Sequence, residues 1–265
     1  MPLEGAALEA ADDLNKLIHL SWIQERTEGM QVFFEDDLVI VDSGLATDTF
    51  NVVCRSRLSS AGCSARIRSV LRHFRSTSRP FTWWVGPADR PADLGRALLE
   101  EGFRATGTEP GMALNLERLT AVPETPREFH IERARTEASV RKFGELIASL
   151  AYPLDHTVAA FYARSAPAVL DPESPVWLYV GYLGDEPVAT AELTVGGGIV
   201  GLYNITTAAA HRKKGIGTAM TVRPLRDARE SGYPAAVLQA SEEGFPIYSR
   251  IGFEVTGSFT EYHPA

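Results

Sequence analysis

The chain is poor in the features that mark secreted, membrane-spanning or nucleic-acid-binding proteins. Only two cysteines, Cys54 and Cys63, occur among 265 residues. With no second pair to complete a metal site, they fit a reducing compartment and two inert thiols rather than a disulfide framework or a bound metal. Positive charge is also scarce: 26 Lys and Arg stand against 34 Asp and Glu, a net charge of -8. That balance counts against nucleic acid or an anionic membrane as partner and suits an amine-bearing one. Long apolar runs are missing. The longest, such as "VWLYVGYLG" from Val176, are strand-sized, well short of the roughly 20 residues that cross a bilayer. The opening "MPLEGAALEAADD" has no basic stretch before an apolar core, so the expected location is the cytoplasm. Hydrophobic residues at 45% and charged residues at 23% leave an ordinary soluble, globular composition.

Within that composition the chain carries a faint echo of itself. "GFRATG" from Gly102 returns as "GFEVTG" from Gly252 (252 − 102 = 150). "FNVV" from Phe50 answers "YNIT" from Tyr203, and Pro80 before "FTWWV" answers Pro234 before "AAVLQ". Landmarks in one order at nearly constant spacing imply two halves of related architecture. The seam is expected in "ERLTAVPETPRE", where prolines and charges break the apolar pattern, giving domains over residues 1–120 and 129–265. Periodicity predicts a helix from Leu8 to Glu25, short strands, the basic helix "ARIRSVLRHF", a strand, a helix and a closing strand in the first half. The second half repeats the pattern: a strand at "FHIERA", helices at "EASVRKFGELIASLA" and "HTVAAFYAR", three strands as a meander, then helix, strand, helix, strand. Too many strands follow one another without crossover helices for a doubly wound sheet. The predicted class is a mixed α/β fold, with two tandem domains each built on a largely antiparallel sheet flanked by helices.

The stretch "RKKGIG", Arg212 to Gly217, falls where a strand gives way to a helix. Glycines there let an anion approach the outward-pointing amides at the positive end of the helix dipole, and Arg212, Lys213 and Lys214 add charge suited to a polyphosphate. The nucleotide loop G-x-x-x-x-G-K-[ST] is absent, and the dinucleotide fingerprint would need a glycine where Met220 stands. The arginines of "RSVLRHFRSTSR" stand alone in an acidic chain and read as a solvated helix face.

"RKKGIG" resembles the R/Q-x-x-G-x-G/A signature of the GCN5-related N-acetyltransferases (GNAT), and "IYSRIGF" resembles their closing Y-x-x-x-G-F segment. The likeness covers Phe129 to about Tyr262. The first half is similar in degenerate form, with "CRSRLSSAGCS" where a signature would stand and Leu98 where the second half has Tyr248. The resemblance implies an acetyl-CoA-dependent N-acetyltransferase acting on a primary amine, with a small molecule as the expected acceptor. It also implies a first half that has lost the cofactor, and no metal.

By that resemblance, Ile205, Thr206 and Thr207 pair with the pantetheine arm. The amides of Lys213, Lys214, Gly215, Ile216, Gly217 and Thr218 hold the diphosphate with Arg212 beside it, and Tyr248 protonates the leaving thiolate. Glu192 is the candidate base, because strand alternation places Thr190, Glu192 and Thr194 on a polar face opposite Ala189, Ala191 and Leu193. Asn204, Gln239 and Ser241 are candidate polar liners of the cleft, with Ser241 on the cofactor side. Asp155 is placed either to meet the acceptor's ammonium or to cap the helix that follows it. The oligomeric state is expected to be monomer or homodimer.

Overall fold

The computed structural model describes residues 4–150 and 154–265; Ala151, the expected end of one helix, lies outside them. The first half runs α1 (Gly5–Glu25), β1 (Gln31–Phe34), β2 (Val39–Asp42), β3 (Val52–Cys54), α2 (Cys63–Thr77), β4 (Thr82–Val85), α3 (Leu94–Glu100) and β5 (Phe103–Asn115). The second runs β6 (Phe129–Arg133), α4 (Glu137–Leu150), α5 (His156–Val169), β7 (Val176–Leu183), β8 (Glu186–Gly196), β9 (Ile199–Thr207), α6 (Ile216–Glu230), β10 (Ala235–Gln239), α7 (Phe245–Ile251) and β11 (Glu254–Pro264). The local causes are familiar ones. In α2, Ile67, Val70, Leu71 and Phe74 recur at helical spacing and are all buried. α7 stops at Gly252, which takes φ +110. α6 runs through Pro224 without a break.

The eleven strands of the described residues form one sheet, in the order β1-β2-β3-β4-β11-β5-β10-β9-β8-β7-β6. The halves are therefore not separate sheets joined at a linker. β5, the closing strand of the first half, lies between β11 and β10, while β11 lies between β4 and β5. Each half borrows the other's last strand, so the seam at residues 117–128 divides the chain but not the sheet. The pairing explains the sequence echo: Phe259 sits opposite Glu109, and the two are themselves one repeat apart (259 − 109 = 150). A local two-fold axis passes through that pair. It relates the two parallel pairs, β3 with β4 and β9 with β10. It also turns their carboxyl ends toward each other, since Val85 pairs with Thr260 and Gln239 with Gly111.

One helix ties the halves together from above. Leu17 and Leu20 of α1 pack with Val39, Val41 and Val52 of the first half. Asn15, fully buried, donates its Nδ2 to the Thr194 carbonyl of β8 at 2.9 Å. α1 therefore roofs the second half's sheet as well as its own. The opposite face of β7–β9 is covered by α6, whose Met220 belongs to the same apolar cluster as Tyr179, Ala191 and Leu202. The basic face of α2 is matched locally, by Arg66 with Asp37 at 3.0 Å and Arg68 with Glu101 at 2.7 Å.

Candidate functional site

The parallel pair β9/β10 holds together for only two residue pairs, Val200 with Ala236 and Gly201 with Val237. Beyond them β9 runs on to Thr207 while β10 stays with β5. A bulge drives the parting. Between Glu192↔Tyr203 and Thr190↔Thr206, β9 has one residue more than β8. Asn204 takes φ +51 there, and its carbonyl is held by the Thr190 hydroxyl at 2.8 Å. The edge of β9 at Ile205, Thr206 and Thr207 is left turned toward a gap, its backbone groups not engaged by β10.

α6 begins at the mouth of this gap. Its N-cap is Gly215, at φ +76, with no side-chain cap and no acidic residue in the first turn. The amides of Ile216, Gly217 and Thr218 have no intrahelical partner, and together with the helix dipole they form a site for an anion. The two glycines serve different ends. A Cβ on Gly215 would lie 1.8 Å from the Glu124 carbonyl, so this residue lets the linker brace the loop. A Cβ on Gly217 would meet only Thr207 Oγ1 at 3.6 Å and Ile247 Cδ1 at 3.8 Å, which leaves it facing the gap. The cations lie outside. Arg212 donates to the Thr207 carbonyl at 3.2 Å and pairs with Glu243, and Lys214 donates to the Ala210 carbonyl at 3.1 Å. Lys213 is exposed, at φ +60.

Tyr248 projects from α7 on the far side of the gap. Its side chain is buried, with an edge contact to Phe253. Burial first, and the charge of Glu109 second, push its phenol up to about 12. It therefore keeps its proton at neutral pH. Ser241 is exposed and accepts from the Gly244 amide at 3.2 Å, shaping the entry to α7.

Glu192 departs from expectation. Thr190, Glu192 and Thr194 are at most 1% exposed, because α1 and α4 pack over the face on which the alternation places them and Tyr162 of α5 reaches in beside them. The carboxylate is engaged on every side: His19 Nδ1 at 2.7 Å, Asn204 Nδ2 at 2.9 Å, the Thr194 hydroxyl at 3.0 Å and the Tyr162 hydroxyl at 3.4 Å. Burial alone would raise its pKa, but the His19 charge and these hydrogen bonds outweigh burial and hold it below the usual carboxylate range. An amine cannot reach it directly; His19 stands in the way. That histidine comes from α1, stacks on Tyr203 at 3.6 Å, and keeps 18% of its side chain exposed. Sequence reasoning missed it, though a helix face carrying Asp12, Asn15, Lys16 and His19 is an unusual one to bury.

The other candidates resolve individually. Asn204 shapes the bulge and orders the Glu192 cluster. Its echo Asn51 has a different task, donating to the Leu45, Thr47 and Pro80 carbonyls. Asp155 is the N-cap of α5, accepting from the Thr157 amide at 2.8 Å, and its other oxygen accepts from Thr47. Gln239 accepts from Lys16 Nζ at 2.8 Å, inside the interface between the halves. Both cysteines are buried and free, and burial pushes the Cys54 thiol up to about 12. Among the described residues no group of acidic, His and Cys side chains is arranged to hold a metal, and no helix is long and apolar enough to cross a membrane.

The equivalent gap in the first half is stitched shut. β3 and β4 also part after two pairs, but the Ser56 amide then donates to Asp89 at 2.5 Å, Arg90 donates to the Ser56 carbonyl at 2.9 Å, and Leu58 to the Arg90 carbonyl at 3.0 Å. The room an extended ligand arm needs is filled by chain.

Residues 183–256, which span the gap, α6 and Tyr248, match the family model described as acetyltransferase (GNAT) domain. A protein from Streptomyces avermitilis described as an uncharacterized N-acetyltransferase is 42% identical over 81 residues, 27% of this chain and 19% of its own length. The likeness to that relative is thus confined to about a fifth of it. The fold is shared with a GCN5-related N-acetyltransferase from Kribbella flavida, at 18% identity and TM-score 0.74, over 98% of this chain and 96% of that one. A tandem GNAT protein from the clavulanic acid biosynthesis pathway aligns at 14% identity and TM-score 0.59, over 85% of this chain and 77% of that one.

Proposed function

From the match of residues 183–256 to the GNAT domain model and the fold shared with GNAT structures, one of them a tandem protein, we propose that this chain is a tandem GNAT protein and an acetyl-CoA-dependent N-acetyltransferase. On this reading its second half carries the reaction and its acceptor is the primary amine of a small molecule. The observation that carries the reading is the coincidence at one point of parted strands and an uncapped helix start: β9 and β10 separate after Gly201, and the free amides of α6 sit at the opening. These groups fit an extended ligand ending in a diphosphate. The roof formed by α1 favours a small acceptor over a protein chain.

Acetyl-CoA supplies the acyl group already activated as a thioester. The amides of Ile216, Gly217 and Thr218 bind the diphosphate, and the free edge of β9 from Ile205 to Thr207 holds the arm in line. Tyr248 holds a proton on its phenol for the departing sulfur. An acceptor arrives as an ammonium and must lose a proton, and His19 is placed to take it. Glu192 accepts the Nδ1–H of His19, which leaves Nε2 as the basic nitrogen, and then stabilises the imidazolium. Glu192 is thus a positioning residue, and the base is supplied by the first half.

The reading is tested by thiol release from acetyl-CoA across a panel of small amines. Amine-dependent release that disappears in Gly217→Glu is expected; a protein that binds acetyl-CoA but turns over none of the panel would be a sensor instead.

A further inference from the structure

The stitching of the first half's gap leaves a cavity of about 270 Å³ on the α1 side of the sheet, lined by Asp12, Lys16, Cys54, Trp84, Phe259 and Glu9 among others. It lies at the two-fold counterpart of the catalytic gap, and none of the reaction groups described above uses it. Its walls are of two kinds. Trp84 and Phe259 offer flat apolar surface. Against them stands Asp12, only 7% exposed, whose Oδ1 has no hydrogen-bond partner. Buried carboxylate oxygens without a donor are rare because the desolvation is uncompensated, and burial accordingly pushes this carboxyl up to about 6.

The neighbouring charges relieve it only in part: Lys16 lowers its pKa from a distance, but its ammonium bonds elsewhere. Asp13 is taken by Arg57 at 2.6 Å and Arg55 at 3.3 Å, and Asp89 by Arg57 at 3.3 Å. Lys16 directs its ammonium away, to Gln239 at 2.8 Å and over the Trp84 ring at 3.6 Å. Carboxylates remain in excess, since Glu109 and Glu261 also face Lys16 and Glu9 lies at the rim. A ligand that satisfies the cavity brings a hydrogen-bond donor, carries positive charge and has a flat apolar body.

We propose that this cavity is a binding site for a small organic amine, distinct from the acetyl-transfer gap. The amine pairs with the Asp12 carboxylate, and the apolar body lies along the parts of Trp84 and Phe259 that the Lys16 ammonium leaves uncovered. The site does not depend on the transferase reading. Lys16 connects it to Gln239, at the end of β10.

The test is calorimetry on the whole chain without acetyl-CoA, using benzylamine, with benzyl alcohol and benzoate as neutral and anionic counterparts. Benzylamine should bind at least tenfold tighter than either. The preference should fall at least tenfold in Asp12→Asn, and all binding should be lost in Ala88→Phe, which fills the cavity from its rim. Acetyl-CoA affinity should be unchanged in both variants, which separates this site from the transfer site. Benzoate binding as well as benzylamine, no binding of benzylamine at millimolar concentration, or unchanged benzylamine affinity in Asp12→Asn would each overturn the proposal. If Asp12→Asn fails to fold, retention of benzylamine binding by Ala88→Phe would overturn it alone.

Discussion

His19→Leu tests the link between the halves most directly, because it removes the shortest hydrogen bond to a buried carboxylate and leaves the carboxylate in place. Glu192 is 1% exposed, and His19 is its shortest hydrogen bond, at 2.7 Å. Stranding a buried charge in this way costs about 3–5 kcal/mol. The bonds from Asn204, Thr194 and Tyr162 remain, so the lower end, about 3 kcal/mol, applies. At about 2–4 °C per kcal/mol for chains of this size, Tm should fall by on the order of 10 °C. The pH dependence has a definite sign. Glu192 is held below its ordinary pKa of 4.5 in the fold, so its contribution to stability is complete above that value and is lost as pH falls through the depressed one. The variant's deficit should therefore be full at pH 7 and shrink toward pH 4, where its carboxyl takes a proton. Replacing both partners, His19→Leu with Glu192→Met, should recover most of the loss, since no charge is then stranded. Urea unfolding at pH 7 and pH 4.5 reads both effects. A single variant within 0.5 kcal/mol of the parent at pH 7 would refute the argument; the threshold is the scatter of about 0.5 kcal/mol among ordinary surface changes.

Three further outcomes follow from the geometry. Gly217→Glu should abolish acetyl-CoA binding by calorimetry while leaving the melting curve nearly unchanged, because the added side chain enters the gap; Gly215→Glu should lower stability as well, since its Cβ position holds the Glu124 carbonyl. Tyr248→Phe keeps the ring's packing and should lower kcat by about 10²–10⁴ with acetyl-CoA affinity unchanged; turnover at the parent rate with a chemistry-limited acceptor would make Tyr248 a packing residue. A fragment of residues 129–265 lacks β5, the strand between β10 and β11, and should be insoluble alone and recovered by co-expression with residues 1–120; a soluble, active fragment would contradict the exchanged sheet.

What could be read in the sequence was what local physics writes there. A glycine-opened helix after a strand is carried by neighbouring residues, and a tyrosine at a set distance and an echo of nearly constant step are carried by spacing along the chain. Glu192 was misplaced because period-two alternation distinguishes two faces of a strand but not a wet face from a covered one, and here both faces are covered. His19 was missed for the converse reason. On a helix with polar residues all along it, nothing local separates the face that α1 buries, with Asp12, Asn15 and Lys16, from a solvated one. The strand exchange was invisible because β5 and β11 are repeats of each other. Either could close either half, and the choice lies in chain connectivity rather than in side chains.

That exchange gives a physical reason for a half whose gap is closed to persist. With its own gap closed by the Ser56–Asp89 stitch, the first half carries "CRSRLSSAGCS" where the second carries the glycine-opened helix start. It cannot be discarded, however, because β5 completes the sheet on which β10 and Tyr248 depend, and α1 delivers His19 to Glu192 over β8. The dependence runs the other way too, since β4 is edged by β11 of the second half. Loss of either half exposes strand edges in the other. The unit of folding is thus the whole eleven-stranded sheet of the described residues, and the proposed transfer site draws on both halves although its signature is written in one.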